Sequence, residues 1–434
     1  MAQVNVANVP PVNFLVAGSP CDACKRLDNP WTCQHVCDAL KDPEQIAQLV
    51  CDAGNVGSIT DKVQNANPDL GGFLLLEQLC KKEKTRAVVV SPSSLLSAMG
   101  TTSLAMDDVA RRDIYRTFAC AKSNEYAALA AAAVVNSCNS IWFIGIAQND
   151  PLVRTFIERA SNRYQATVGF NPTAQRINGW VSVKTYGMID EIISDENIPR
   201  KGMLVVNALA FECKWKTQFD KSLTIDSFPF NGGAIRCRMM QRPYATVNGI
   251  FTEDGFGCVL DLVLSNEDLA AQYKLRVVLA MRRDGKMPSE SFVRRVARSP
   301  RTYYDNEYCE SLYDTHELQC LAIPVTYASF GPKNITDDLG LKEALETGHV
   351  IFDRDVQMDC IIHCAKFKFD ELGAKGASAT MVGRRESAGL ENEERSMIYD
   401  KPFFAGLAIY ERGTTDPVTF PFAAFITDPS KDKF

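Results

Sequence analysis

Val205–Asp220 reads VVNALAFECKWKTQFD, and Thr224–Phe230 continues it as TIDSFPF. With Met203 and Leu204 in front, Met203–Phe211 forms an apolar run interrupted only by Asn207. A run of this length predicts a central strand buried on both faces. Downstream, further strands are expected at Ile235–Met240, Gly257–Leu264, Lys274–Met281, Gln319–Val325 and Cys360–Phe369, with a helix at Asn334–Leu345 interrupted by Gly340. Phe403–Tyr410 and Thr419–Ile426 also have strand composition. Upstream, Leu70–Leu79 reads as a short apolar helix and Thr85–Val90 as a buried strand. Ser91-Pro92-Ser93-Ser94 then breaks the strand and caps a helix at Leu95–Leu104. Residues 105–138 read as mixed helix, Ser140–Ile144 as a strand, and Pro151–Tyr164 and Thr173–Met188 as helices. Ile177, Trp180, Val181 and Lys184 share one stripe of the last. Helices first and strands later predict an α+β fold with large sheets.

The chain has 434 residues, enough for one large domain or two ordinary ones. Its 46% apolar and 23% charged content is ordinary for a globular protein. A net charge of −6 gives no footprint for nucleic acid, and no apolar run approaches a membrane span. The N-terminus, MAQVNVANVPPVNFLVAG, lacks Lys and Arg and is a poor secretory signal. Fifteen cysteines without such a signal are expected to be mostly reduced thiols in the cytoplasm, with disulfides as the alternative. Residues 1–67 are read as a cysteine-containing extension, and 68–434 as the main domain. Within the extension Cys21, Cys24, Cys33 and Cys37 have ligand types that suit zinc; free thiols or two local disulfides are the plainer readings. No GxSxG, HExxH, Walker A or complete GxGxxG motif is present, which argues against an enzyme. No cofactor is expected.

One stretch behaves differently. Glu371–Pro402, ELGAKGASATMVGRRESAGLENEERSMIYDKP, lies between strand-like segments, and long loops of this kind are functional or disordered. Its alternate positions Leu372, Ala374, Gly376, Ser378, Thr380 and Val382 carry no charge, while Glu371, Lys375 and Arg385 lie on the other phase. That is the pattern of a strand with one buriable face, so the segment is written as a loop that can also be a strand. Taken alone, the small-residue run would be a flexible linker.

Asn207, Phe211, Lys214-Trp215 and Phe219-Asp220 resemble the serpin signature VNAIYFKGKWxxPFDxxxTxxxxF. Ser91-Pro92-Ser93-Ser94 resembles the family's FSPxS, Ile177–Val181 its INxWV and Ile323-Pro324 its LPKF. Lys401-Pro402-Phe403 resembles its RPFLF, and Phe422–Pro429 its FxGxVxxP, with Ala424 at the glycine. His363 stands eight residues before Glu371, the family's spacing from its strand histidine to its hinge glutamate. The resemblance covers about residue 68 to the C-terminus. Residues 105–140 look shorter than the corresponding helices, where some members bind glycosaminoglycans.

The resemblance implies a serpin-like fold with an exposed reactive-centre loop at about 371–401. It implies suicide inhibition of a serine or cysteine endopeptidase by loop insertion into the main sheet, or alternatively a non-inhibitory carrier, chaperone or binding role. The hinge is Glu371, Gly373, Ala374, Gly376, Ala377, Ser378, Ala379 and Thr380, where small residues suit a strand entering a closing sheet. Ser91, Ser94, Asn207, Trp215 and His363 are carried over as the sheet-opening cluster, structural rather than catalytic. Counting forward from Glu371 puts the reactive bond at Ser387–Ala388; Arg385–Glu386 is the rival, and counting back from Pro402 reaches Glu391. The partner implied is a target protease of the serine class, with the chain a monomer and neither nucleic acid nor membrane involved.

Overall fold

The computed structural model describes residues 70–83, 87–107, 137–198, 200–298, 314–339, 341–347, 361–374 and 396–430, with positions 110, 111, 114, 130, 131, 133–135 and 350. Contacts divide the chain into Met1–Ala66 and Asn67–Phe434, and every described residue belongs to the second unit. The cysteines at 21, 24, 33 and 37, the hinge beyond Ala374 and both candidate reactive bonds lie outside the described residues.

Local signals start the helices. Helix α1 (Leu70–Lys82) leads to strand β1 (Val88–Val90) and helix α2 (Pro92–Ser103). Ser91 caps α2 by accepting from the Ser94 N–H, and Pro92 follows at the first helical position, where its missing N–H costs nothing. Strand β2 (Ser137–Ile144), helix α3 (Pro151–Tyr164), strand β3 (Thr167–Phe170) and helix α4 (Ala174–Lys184) follow. Asp150 caps α3 and Thr173 caps α4 in the same way. Next come β4 (Gly202–Leu209), β5 (Cys213–Trp215), β6 (Ile225–Phe230), β7 (Ile235–Phe251), β8 (Gly255–Val263), α5 (Glu267–Gln272), β9 (Tyr273–Arg282) and α6 (Glu290–Ala297). The chain closes with β10 (Asp314–Pro324), β11 (Thr326–Asn334), α7 (Lys342–Thr347), β12 (Ile362–Phe369), β13 (Gly373–Ala374), β14 (Ser396–Ile398), β15 (Phe403–Glu411) and β16 (Thr419–Ile426).

The strands form three sheets. An eleven-stranded sheet runs β1-β16-β15-β9-β8-β7-β10-β14, with β6 on β7 and the pair β13-β5 on β8. A three-stranded sheet runs β3-β2-β4, and β11 pairs with β12 alone. One large core joins α1, α2 and the big sheet, and holds Tyr399, Phe403, Phe404 and Phe420 fully buried. A second, smaller core sits under α4, where Ile177 and Val181 meet Trp142 and Ala208. Here the INGWV stripe buries its apolar side.

Two expectations need correction. Met203–Phe211 is not a central strand buried on both faces: β4 is the edge of a three-stranded sheet, and Leu204–Asn207 are half-buried. Its apolar character serves two helices, one on each face, while one edge carries no ladder among the described residues. Cys360–Phe369, whose apolar content reads as a buried strand, contains β12, in which half-buried and buried residues alternate. Asn334–Leu345 is not one helix. Asn334 ends β11 and its side chain turns the chain, accepting from the Thr336 N–H (3.0 Å) and hydroxyl (2.7 Å), so the helix starts only at Lys342.

Candidate functional site

The notable absence of pairing is between β4 and β12. The two strands flank a slot with no ladder across it among the described residues. Met203–Asn207 and Ile361–Cys364 form its walls, and Ser94, Leu95, Ala98, Met99 and Thr102 of α2 form its floor. The opposite face belongs to α4, whose core takes Leu204, Val206, Ile362 and Cys364. The cavity left between them is about 60 Å³. That is room for about two waters at ~30 Å³ each, not for a strand, so an occupant must part the walls.

Polar groups line the floor in two networks. In the first, the Ser91 N–H donates to His363 Nε2 (3.2 Å), the Ser91 hydroxyl donates to the Pro421 carbonyl (2.6 Å), and the Ser94 N–H donates back to Ser91 Oγ (3.3 Å). His363 is 3% exposed, and burial pushes its imidazole down to about 4. It is therefore a neutral acceptor. In the second network Asn139 bridges three elements. Its amide donates to the Tyr164 carbonyl (2.8 Å) and Ser97 Oγ (2.9 Å), while its oxygen accepts from Asn207 Nδ2 (2.9 Å). The oxygen of Asn207 and the hydroxyl of Thr102 are buried with no partner among the described residues. Each such orphan costs about 1–3 kcal/mol.

The chain leaves the end of β12 through a hydrogen-bonded corner. Trp215 donates from Nε1 to the Asp370 carbonyl (2.7 Å) and from its backbone N–H to the Leu372 carbonyl (3.1 Å); the Phe219 N–H donates to the Glu371 carbonyl (3.0 Å). Phe219 and Phe369 pack edge-on against the indole. The Glu371 carboxylate, buried, accepts from Arg238 (2.7 Å) and from the Thr224 hydroxyl (2.9 Å). Gly373 and Ala374 then pair antiparallel with Lys214 and Cys213. A Cβ on Gly373 would sit 2.2 Å from the Cys213 carbonyl, so only glycine fits this approach.

The five residues of the proposed cluster thus fall into separate places. Ser91, Ser94 and His363 form one network, Asn207 belongs to the network around Asn139, and Trp215 stands at the corner with Glu371, Gly373 and Ala374. Sequence reading missed Ser97, Asn139, Thr224 and Arg238. The signal for Asn139 was present: Ser137, Asn139 and Ser140 are buried polar residues at the start of a strand that is apolar from Ile141 on, and buried strands carry such residues only with partners. Thr224 and Arg238 had none, being joined to Glu371 across 147 and 133 residues. Among the described residues no group of three metal-ligating side chains occurs, and no helix is long and apolar enough to cross a membrane.

A family model described as Serpin (serine protease inhibitor) matches residues 66–420. The chain belongs to the serpin family. The slot and corner therefore belong to a serpin fold, with helices on large mixed sheets. A serine protease inhibitor from Rattus norvegicus is 22% identical over 65% of this serpin and 66% of the relative. Serpin A3-3 from Bos taurus is 27% identical over 54% of the chain and 56% of the relative. The match thus spans between half and two thirds of these relatives' length. Among solved structures, human thyroxine-binding globulin with thyroxine superposes at TM-score 0.61 and 16% identity, covering 84% of this chain and 98% of its own. The native, stressed conformation of AtSerpin1 from Arabidopsis superposes at 0.59 and 16%, covering 83% and 98%. At these identities the superpositions show the fold.

Proposed function

We propose that this serpin inhibits a serine or cysteine endopeptidase by trapping it covalently, the cleaved loop entering the slot between β4 and β12. The observation that carries the reading is the unpaired slot, with the base of the loop already pinned as a strand at its mouth. The β13-β5 register supplies the geometry. Gly373 stands opposite Lys214 and Ala374 opposite Cys213. The same antiparallel register carried down the strand sets Ser378 against Leu209, Thr380 against Asn207 and Val382 against Val205. Those three β4 positions face α2, so the uncharged phase of the loop turns inward. Thr380 arrives at the orphaned Asn207 oxygen, a partner it lacks in the intact form. Insertion of about a dozen residues adds on the order of 10 kcal/mol in backbone hydrogen bonds. Serpins are the standard example of stored strain released by loop insertion; the register is what is particular to this chain.

The register also bears on the reactive bond. Carried to the start of β4, the same register would set an inserted residue 385 against Gly202. Cleavage at Ser387–Ala388 delivers the whole matching length with two residues to spare, and suits a protease that prefers small side chains. Cleavage at Arg385–Glu386 ends the insert at the last rung and favours substrate turnover. The seven cysteines among the described residues are free thiols, which supports a reducing, cytoplasmic setting. Incubation with a panel of serine and cysteine endopeptidases tests the reading. An SDS-stable complex is expected, with a released peptide beginning at Ala388. Clean cleavage with every protease and no complex would refute inhibition, and a peptide beginning at Glu386 would move the bond to Arg385.

A further inference from the structure

A second cavity, of about 250 Å³, opens beside the turn from β4 into β5 and is separate from the slot. Val135, Phe211, Leu264 and Leu269 give it apolar walls. Glu212 is the charged side chain that lines it among the described residues, and it is exposed. Its carboxylate acts on the cavity wall: the Cys213 thiol is pushed up to about 11, by burial first and by Glu212 second. At the rim stands Tyr186, 57% exposed. The chain leaves α4 there through two left-handed residues, Tyr186 at φ 53° and Gly187 at φ 71°. Glycine adopts that conformation without penalty, whereas a bulky aromatic does so at a cost. The Gly187 N–H donates to the Ser182 carbonyl (2.8 Å), so this turn ends α4. It leaves the Tyr186 ring exposed at the cavity rim.

We propose that this cavity is a binding site for a small aromatic amine, its ring among Val135, Phe211, Leu264 and Leu269 and its ammonium between the Glu212 carboxylate and the Tyr186 ring. The chemistry follows from the lining. A cavity with apolar walls, the neutral polar side chains of Ser265 and Asn266 and one carboxylate selects a cation carried on an apolar body, and an exposed tyrosine face adds cation–π attraction. The volume lies below the ~300–1,000 Å³ of sites for drug-sized ligands, which restricts the occupant to the size of phenethylamine or tryptamine. The wall residue Cys213 pairs on its strand edge with Ala374, so an occupant braces the strand that holds the hinge. That consequence rests on the inhibitory reading; the binding itself does not.

Calorimetry and saturation-transfer NMR on the full chain, with phenethylamine, 2-phenylethanol and 3-phenylpropionate as probes, test the site. Phenethylamine is expected to bind with a Kd on the order of 1 mM, the alcohol about fivefold more weakly, and the carboxylate more weakly still. Glu212→Gln, an exposed change that leaves the fold intact, reduces the amine to the affinity of the alcohol. Leu269→Trp fills the cavity and removes both, and saturating amine slows reaction of the Cys213 thiol with a disulfide reagent. Equal binding of the three probes, no saturation by the amine up to about 20 mM (about twentyfold the expected Kd), or an unchanged amine affinity in Glu212→Gln would overturn the proposal.

Discussion

Strands β9 and β4 look alike in sequence and live in opposite environments. β9 is laddered to β8 from Leu275 to Arg282 on one side and to β15 from Tyr273 to Met281 on the other. Leu275–Met281 are buried throughout, and the rings of Phe403, Phe404 and Tyr399 close the core around them. Among the described residues β4 is laddered to β2 only. Its other edge faces the slot, its middle is half-buried, and its asparagine carries an unanswered oxygen. Each unmade rung forgoes about 1 kcal/mol. The difference teaches where each region's stability resides: the large sheet is laddered on both sides of β9, whereas, on the proposed reading, the edge of β4 gains its rungs only when another strand arrives. Substitutions in the two regions should therefore respond differently to loop cleavage.

The largest effect is expected at the mouth of the slot. Ala374→Arg puts an unpaired charge on the inward phase of the entering strand, and burying it costs several kcal/mol. The SDS-stable complex should fall at least about a hundredfold while the loop is still cut. An unchanged yield of complex in gel densitometry would mean that this position never enters the sheet. In the large sheet, Phe404→Ala removes a fully buried ring stacked on Phe73 at 5.8 Å. Chemical denaturation should show a loss of about 3–5 kcal/mol, equal in intact and cleaved protein, because the site is complete in both. A loss confined to the intact form would erase the distinction between the regions.

Acid sharpens the comparison at the slot alone. The folded value of His363, about 4, lies below the ordinary 6.5, so the unfolded chain takes up the proton first. The contribution is complete above pH 6.5 and is lost as the pH falls toward 4, on the order of 3 kcal/mol in all. Subtracting the stability curve of His363→Gln from that of the parent between those values should isolate this slope; parallel curves would show that the buried ring does not titrate so low. The smallest effect is expected at the corner. Glu371→Gln weakens the contact with Arg238, which is 41% exposed and therefore screened. A loss of about 1 kcal/mol is expected in the intact form, read as a small fall in melting temperature. A loss of about 4 kcal/mol would make this pair, and not the β13-β5 ladder, the main anchor of the hinge.

Much of this was legible in the chain. The run from Val205 to Asp220, the Ser91-Pro92 cap and the spacing of His363 from Glu371 announce the fold, because caps and apolar periods are local properties. The period-two phase of Leu372–Val382 is written in the chain, but only its first residues, to Ala374, lie among the described ones, where Gly373 and Ala374 pair with β5. The open edge of β4 was not legible. An apolar strand between two helices reads the same whether or not a neighbour pairs with its edge, so Met203–Phe211 looked central. The division of Ser91, Asn207 and Trp215 among separate networks was equally hidden, since their partners Pro421, Asn139 and Asp370 are set by packing rather than by neighbouring residues.

The central claim is that the intact chain is held short of its most stable state by an unfilled slot. Thermal unfolding of the intact protein beside protein cut once within the loop tests it most directly. Filling the slot with about a dozen rungs should raise the melting temperature by about 10–20 °C, since 1 kcal/mol corresponds to one or two degrees in a chain of this size. Coincident melting curves for the two forms would contradict it.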